Sequence, residues 1–341
     1  MNFYASPEYL AVVAEAYFKG RSTSVEDVRI GDDVLRLLVV DGKQVITGTQ
    51  FLDYHEPLTG EEIHTPTRKF GYAERVMRGV IEQAEWDTDA FKGLEPAPYV
   101  DWSRFPTFDH YMADIRTRRK GILRENERRR RRLVDNLGEI VFCMDDKQDD
   151  VFELARRWKS QQLQETGERD YFLDPKNIAY FKLLREKGLL TSSTLRASGR
   201  LLSVWLGFIY DGVWSGWIFT YDRNPELRNY SLGHQLLRSM LEESHRLKHR
   251  EFDFSIGNED YKWTYATHAR LLGSIGREPL QNRLLARAKS EAKKILSFNP
   301  RLLEMALALK KELRKRRNRA GVRAQSGNDI ATSLQDSRSG H

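Results

Sequence analysis

The chain has 341 residues, 40% hydrophobic and 31% charged, enough for two domains that each bury a core. Its net charge of +7 points to an anionic partner: nucleic acid, a phosphate-bearing cofactor or an acidic membrane surface. A single cysteine, Cys143, excludes an intramolecular disulfide and a cysteine-rich metal site, and no apolar run approaches the ~20 residues that span a bilayer.

The N-terminal "MNFYASPEYL" has no basic region followed by an apolar block, so no signal peptide is expected and a reducing cytoplasm is the simplest location. "SPEYLAVVAEAYFKG" reads as a helix, with Ser6 as N-cap, Pro7 in the first turn and Gly20 at the end. Three β-like stretches follow, "VEDVRI", "VLRLLVV" and "QVITGTQFLDY", the last two joined by a turn at Asp41-Gly42. "YAERVMRGVIEQAEW" is expected to be helical. The proline-rich "LEPAPYVDWSRFP" is expected to be a linker, because proline cannot donate to a ladder.

A long basic helix opens the second half, with ten Lys/Arg against two Glu between Arg116 and Arg132. The strand "EIVFCM" and the helices "DVFELARRWKSQQLQE" and "PKNIAYFKLLREKG" come next. Three antiparallel strands are then expected, "LLTSSTLRA", "RLLSVWLGFIY" and "VWSGWIFTY", the second pair joined at Asp211-Gly212. The helix "GHQLLRSMLEESHRLKH", the strand "REFDFSI", a short helix and the strand "RLLGSIG" complete the unit. The expected divisions are 1–100, a linker and Arg-rich helix at 101–137, a second domain at 138–280, basic helices at 281–320 and a disordered tail at 321–341. The first half repeats part of this order, helix, three strands, helix, so a weak internal duplication is expected.

Between the third of those strands and its helix lies "YDRNPELRNYSLGHQLL". A strand that leaves through a short loop into a helix exposes unpaired N–H groups at the positive end of the helix dipole, a place that binds phosphates. A small residue at Ser231 and a glycine at Gly233 allow close approach to the backbone. "RNYSLG" resembles the Arg/Gln-x-x-Gly-x-Gly/Ala loop with which acetyltransferases of the GNAT superfamily grip the pyrophosphate of coenzyme A, with Ser231 where the first glycine is usual. The order strand, two helices, three strands, helix, strand, helix, strand is also the GNAT order. "EFDFSIGNEDYKWTYA" resembles a segment of the CelD/BioF2-like group, itself related to the FemAB aminoacyltransferases; Phe252, Asp253, Phe254, Gly257, Glu259, Tyr261 and Lys262 match.

The resemblance implies an α/β (α+β) fold of tandem GNAT-like domains, with mixed central sheets flanked by helices and basic C-terminal helices. It implies a cytoplasmic acyltransferase that takes an acyl group, acetyl first among them, from acetyl-CoA or another acyl-CoA. The acceptor would be an amine or hydroxyl on a small molecule or polysaccharide precursor. The donor would lie along Phe219, Thr220 and Tyr221, whose amides polarise the thioester, and along Arg228, Asn229, Tyr230, Ser231, Leu232, Gly233 and His234. Tyr261, with Tyr265 one turn on, is the candidate proton donor to the leaving thiolate; the alternative is a packed ring with a satisfied hydroxyl. Asp253, between two phenylalanines, is either a base or acceptor ligand, or a structural carboxylate paired with Lys262 or backbone amides. Asp53, Tyr54 and His55 at a strand end, and Lys262, are acceptor-site candidates. No metal site is expected, since His245 and His249 sit four apart on a basic helix without a third ligand.

The Arg-rich helix leaves other partners open: an acyl carrier protein, tRNA or an anionic membrane touched peripherally. The rival readings are an aminoacyltransferase fed by aminoacyl-tRNA and a non-catalytic basic binding module.

Overall fold

The computed structural model describes residues 2–60, 62–63, 66 and 68–280. The expected basic helices at 281–320 and the tail lie outside the described residues. In chain order the elements are α1 (Pro7–Phe18), β1 (Thr23–Ile30), β2 (Asp33–Val40), β3 (Gln44–Ile46), β4 (Arg68–Lys69), β5 (Tyr72–Glu82) and β6 (Glu95–Asp101). After them come α2 (Phe108–Leu137), β7 (Ile140–Cys143), α3 (Asp150–Thr166), α4 (Pro175–Glu186), β8 (Thr191–Ala197), β9 (Arg200–Tyr210) and β10 (Val213–Tyr221). The last four are α5 (Leu232–Arg246), β11 (Glu251–Asp253), α6 (Asp260–Tyr265) and β12 (His268–Gly276).

The fold is mixed α/β, with helices flanking two sheets. Four strands form one sheet in the order β3-β2-β1-β4; eight form the other, β5-β12-β6-β11-β10-β9-β8-β7. Every neighbouring pair in the larger sheet is antiparallel except β10 with β11. By contacts the described residues fall into two units: those up to Ala155 with Tyr180–Glu278, and Arg156–Ala179 with Pro279 and Leu280. Within the second unit, Asp170 accepts from the Phe172 amide at 3.0 Å and from Ser160 at 3.2 Å, and Asn177 donates to the Tyr171 carbonyl. Among the described residues no helix is long and apolar enough to cross a membrane.

Three stretches differ from expectation. Of "QVITGTQFLDY" only Gln44–Ile46 is a strand, so Asp53 and Tyr54 end no strand and His55 makes an isolated bridge to Val76; Gly48 breaks the expected run. Residues 72–86 are not a helix: Tyr72–Glu82 is a strand followed by a 3₁₀ turn at Gln83–Glu85. Ala73, Val76, Val80 and Ile81 follow the helical spacing i, i+3, i+7 and i+8, but β-branched Val76, Val80 and Ile81 and a long antiparallel partner in β12 override it in favour of the strand. The proline-rich "linker" is β6, lying between β12 and β11. Its prolines break no ladder. The carbonyls of Pro96 and Pro98 accept from Gly257 and Phe254, beyond the end of β11, so the missing N–H groups face the side where that strand has already given way to a loop. The larger sheet thus crosses the boundary expected at residue 100.

The core that positions the site lies on one face of the large sheet. Leu236, Leu237, Met240 and Leu241 of α5 and Tyr111 and Ile115 of α2 pack on Leu195, Trp205, Trp214 and Phe252. α5 buries a stripe at 232, 236, 237, 240, 241 and 244, the spacing of one helical face. α2 runs past it and bends at Arg119, whose φ and ψ are −141° and 46°.

Candidate active site

β10 and β11 pair in parallel over only Val213–Glu251 and Trp214–Phe252. Beyond Trp214 they part. β10 continues to Tyr221 along β9, through a bulge at Trp217, while β11 ends at Asp253. The backbone groups of β10 that face the gap beyond Trp214 therefore have no partner in β11.

On the α5 face the gap opens into a cleft of about 490 Å³. Its lining includes Phe219, Tyr221, Arg228, Ser231, Leu232, Gly233 and His234, each a donor candidate, together with Tyr261. Three donor candidates do not line it. Thr220 points to the other face and is 1% exposed, Asn229 is exposed to solvent, and Tyr230 accepts a hydrogen bond from Asn136 at 2.8 Å.

The turn into α5 is left-handed at Ser231, φ 51° and ψ 50°, and its side chain makes no capping bond. Instead Ser231 Oγ accepts from Arg129 Nη1, which α2 brings to the turn. Arg129 is also held by Glu125 at 2.7 Å. Arg223 lies over the Tyr221 ring and donates to its hydroxyl at 3.0 Å. With Arg228 these side chains gather guanidinium groups around a helix N-terminus, while the one lining carboxylate, Asp222, is held by Arg200 at 2.7 Å. Gly233 is required for packing as well as for access: a Cβ there would lie 2.6 Å from the Phe219 ring.

At the inner end of the cleft, burial pushes the Tyr261 phenol well up. Its hydroxyl is therefore neutral and placed to donate a hydrogen bond into the cleft. Tyr265 is nine-tenths buried and pushed up to about 12 by burial. Its hydroxyl lies 3.2 Å from His234 Nδ1 and takes a long 3.5 Å contact from Asn126, while its carbonyl accepts from Tyr111. His234 is lowered by burial and then by Arg129, so it is neutral at neutral pH.

The other face of the gap is acidic. Phe252 and Phe254 point into the α5-side core, so Asp253 between them and Ser255 after them point away. Asp253 accepts from the Tyr54 hydroxyl and the Ser255 amide, both at 2.7 Å, with Arg270 Nη1 3.6 Å away. Of the structural alternatives for Asp253, the bond from a backbone amide forms and the pairing with Lys262 does not. Lys262 donates to the Ile256 carbonyl at 2.6 Å and to Ser255, and pairs with Glu259, so it ties the turn after β11. Ser255 sits at φ 64°, a strained position for a residue with a side chain.

Asp53 completes this cluster. Its Oδ2 accepts from Tyr4 at 2.7 Å and from Ser255 Oγ at 2.5 Å, and Tyr4 in turn accepts from Trp217 Nε1 at 3.0 Å. Burial raises its carboxyl to about 6, against the lowering by those two hydroxyls. Burial likewise raises Asp253. His55 stands apart: it is buried, bridges to Val76 and donates to the Thr47 carbonyl at 2.5 Å. Sequence reasoning missed Arg129, Trp217, Tyr4 and Arg270. Nothing local distinguishes Arg129 within its arginine run, Tyr4 and Trp217 act through residues more than forty positions away, and Arg270 meets Glu251 and Asp253 only across the sheet. Among the described residues no group of His, Cys, Asp and Glu is placed to hold a metal ion.

Residues 122–263 match the family model of the acetyltransferase (GNAT) domain. Among solved structures, FemX is similar with a TM-score of 0.50 and 9% identity, over 84% of this chain and 94% of that one. A conserved protein of unknown function from Bacteroides thetaiotaomicron VPI-5482 gives 0.45 at 10% identity, over 80% and 91%. The C-terminal domain of a putative lysylphosphatidylglycerol synthetase from Agrobacterium fabrum gives 0.44 at 10%, over 83% and 95%. No curated protein matches.

Proposed function

We propose that this chain, an acyltransferase carrying a GNAT domain, moves an acyl group, acetyl first among them, from an acyl-CoA held in the α5-side cleft to an amine or hydroxyl that reaches the gap from the acidic face. The observation that carries the reading is the parting of β10 from β11 directly beside a cationic helix N-terminus. The diphosphate of the donor meets the α5 amides, Arg228 and Arg129. The thioester enters the gap, where unpartnered amides of β10 between Phe219 and Tyr221 polarise its carbonyl. The acceptor's lone pair attacks the carbonyl carbon, a C–N or C–O bond forms and the C–S bond breaks. Asp53, reached through the Tyr4 and Ser255 hydroxyls, takes the acceptor's proton, Tyr261 hydrogen-bonds the thiolate, and solvent protonates it.

The test is thermal unfolding with and without millimolar acetyl-CoA. A ligand at ~100 times its dissociation constant stabilises a fold by about 2.7 kcal/mol. Arg228→Glu is the informative variant, because Gly233→Asp would collide with Phe219 and confuse loss of ligand with loss of fold. Stabilisation of the wild type that Arg228→Glu abolishes supports the donor site; no stabilisation of the wild type overturns it.

A second donor, an aminoacyl-tRNA, is favoured by one feature: Arg124, Arg128, Arg131 and Arg132 are exposed along α2. It predicts RNA binding that weakens steeply with salt, and no response to acetyl-CoA.

A further inference from the structure

The α5-side cleft ends against one ring. Trp205 of β9 lines the cleft and is 3% exposed. It stands opposite Phe219 in the β9–β10 register, and its indole leans along β10 over Gly216. A Cβ on Gly216 would lie 1.6 Å from Trp205 Nε1, so only glycine lets the ring come this close to the strand. The indole is centred 5.6 Å from the Phe219 ring on β10 and 6.0 Å from the Phe252 ring on β11. It therefore reaches from one wall of the strand gap to the other on the α5 face, next to the point where the paired stretch ends at Trp214.

The ring is held by packing alone. Its N–H is buried and has no acceptor, so no polar partner depends on it. Around it stand Phe219, Leu237 and Tyr261, which also line the cleft, and an interior packed in this way resists an added methylene. Gly216 belongs to the part of β10 that β11 no longer covers. With the thioester carbonyl at the amides from Phe219 onward, an acyl tail that continues towards the closed end of the gap runs back along this stretch. From Phe219 to Gly216 is at most ~10 Å of strand, and the indole takes up the far part of it.

We propose that Trp205 sets the length of the acyl group: its indole, seated on Gly216, forms the end wall of the acyl pocket, so that the site takes acetyl and rejects acyl chains of medium length. The rejection is steric. A longer tail must displace a ring that Phe219, Phe252 and the β10 backbone hold from three sides. The assignment rests on the donor reading above and adds the acyl class of the donor.

The experiment is calorimetric titration of the full chain with coenzyme A, acetyl-CoA, butanoyl-CoA and octanoyl-CoA. The wild type is expected to bind acetyl-CoA at least tenfold more tightly than octanoyl-CoA. Trp205→Ala, which leaves space where the indole stood, should bring those two affinities within about threefold of each other. Trp205→Phe keeps a ring in the core and strands no polar group; it should favour butanoyl-CoA several-fold relative to acetyl-CoA, and it serves as the test if Trp205→Ala does not fold. A role in packing alone would weaken all four ligands together and leave their ratios as in the wild type. Octanoyl-CoA bound by the wild type as tightly as acetyl-CoA, or ratios unchanged in the folded variants, would each overturn the assignment. Coenzyme A itself separates the two readings. Its binding without length discrimination removes the end wall and leaves the donor site standing, whereas no binding of coenzyme A or of any thioester removes the donor site and the wall with it.

Discussion

The two sides of the gap between β10 and β11 differ in almost every physical respect. The α5 side is an open cleft of about 490 Å³, bordered by Arg129, Arg223 and Arg228 and by the positive end of a helix. The opposite side is acidic: buried hydrogen bonds join Tyr4 to Asp53 and Tyr54 to Asp253, and Glu56 and Asp253 stand near Arg270. The contrast teaches how one gap can serve two substrates. In the proposed reading an anionic donor is drawn to one face and repelled by the other, which leaves the acidic face to the acceptor.

The largest expected effect breaks the acidic side alone. Arg270→Met leaves Glu56, Glu251 and Asp253 clustered without their shared cation. Removing one partner of a buried ion cluster typically costs about 3–5 kcal/mol. Urea unfolding should show a lower midpoint with an unchanged slope, while acetyl-CoA still stabilises what folds. Loss of the acetyl-CoA response at temperatures where the variant is folded would show that the two sides are not independent.

Asp53 sharpens the same comparison through pH. Its folded carboxyl titrates at about 6, above the ordinary 3.8, so the folded state binds the proton more tightly than the unfolded chain. The stability this contributes is fully present below pH ~4 and is lost as pH rises through about 6, an amount of order 3 kcal/mol at ~1.4 kcal/mol per unit. Relative to Asp53→Asn, the wild type should therefore gain stability as pH falls from 7 to 4. In the same variant, acyl transfer should lose the acid limb of its pH profile near 6. A stability difference flat across that range would mean that Asp53 is charged, and its hydrogen bonds dominant, throughout.

How much of this was legible in the sequence differs between the two sides, and for a physical reason. The donor cleft is built from contiguous chain: β10, a loop and α5 carry the phosphate-binding pattern in one run, so Arg228, Ser231 and Gly233 could be placed from their spacing. The acidic side is assembled from segments about fifty and two hundred residues apart, and there the sequence offered only isolated hints. Asp53 and Tyr54 were marked as acceptor candidates at the end of a strand that in fact stops at Ile46, and their partners Tyr4, Ser255 and Trp217 were not marked at all. The misread elements were β5 and β6. One carries its apolar residues at helical spacing, and its partner strand overrides that signal. The other hides a strand behind two prolines whose missing donors face a loop.

The smallest expected effect concerns Arg129, which links the arginine run of α2 to the turn that begins α5. Its guanidinium is a third exposed and already shared with Glu125, so removing it should hardly change stability. For a diphosphate at Ser231, however, it supplies one charge-assisted bond, the kind worth about 1.5–3 kcal/mol when formed. Solvent access and Glu125 reduce that to the low end. Arg129→Ala should weaken acetyl-CoA about tenfold and leave S-acetylpantetheine, which lacks the diphosphate, unchanged. Equal losses for both donors would place Arg129 in the framework of the turn, with Ser231 and the α5 amides holding the phosphates without it. Equal affinities in variant and wild type would mean that its bond to Ser231 persists when the donor is bound. The cationic border of the cleft would then be Arg223 and Arg228 alone.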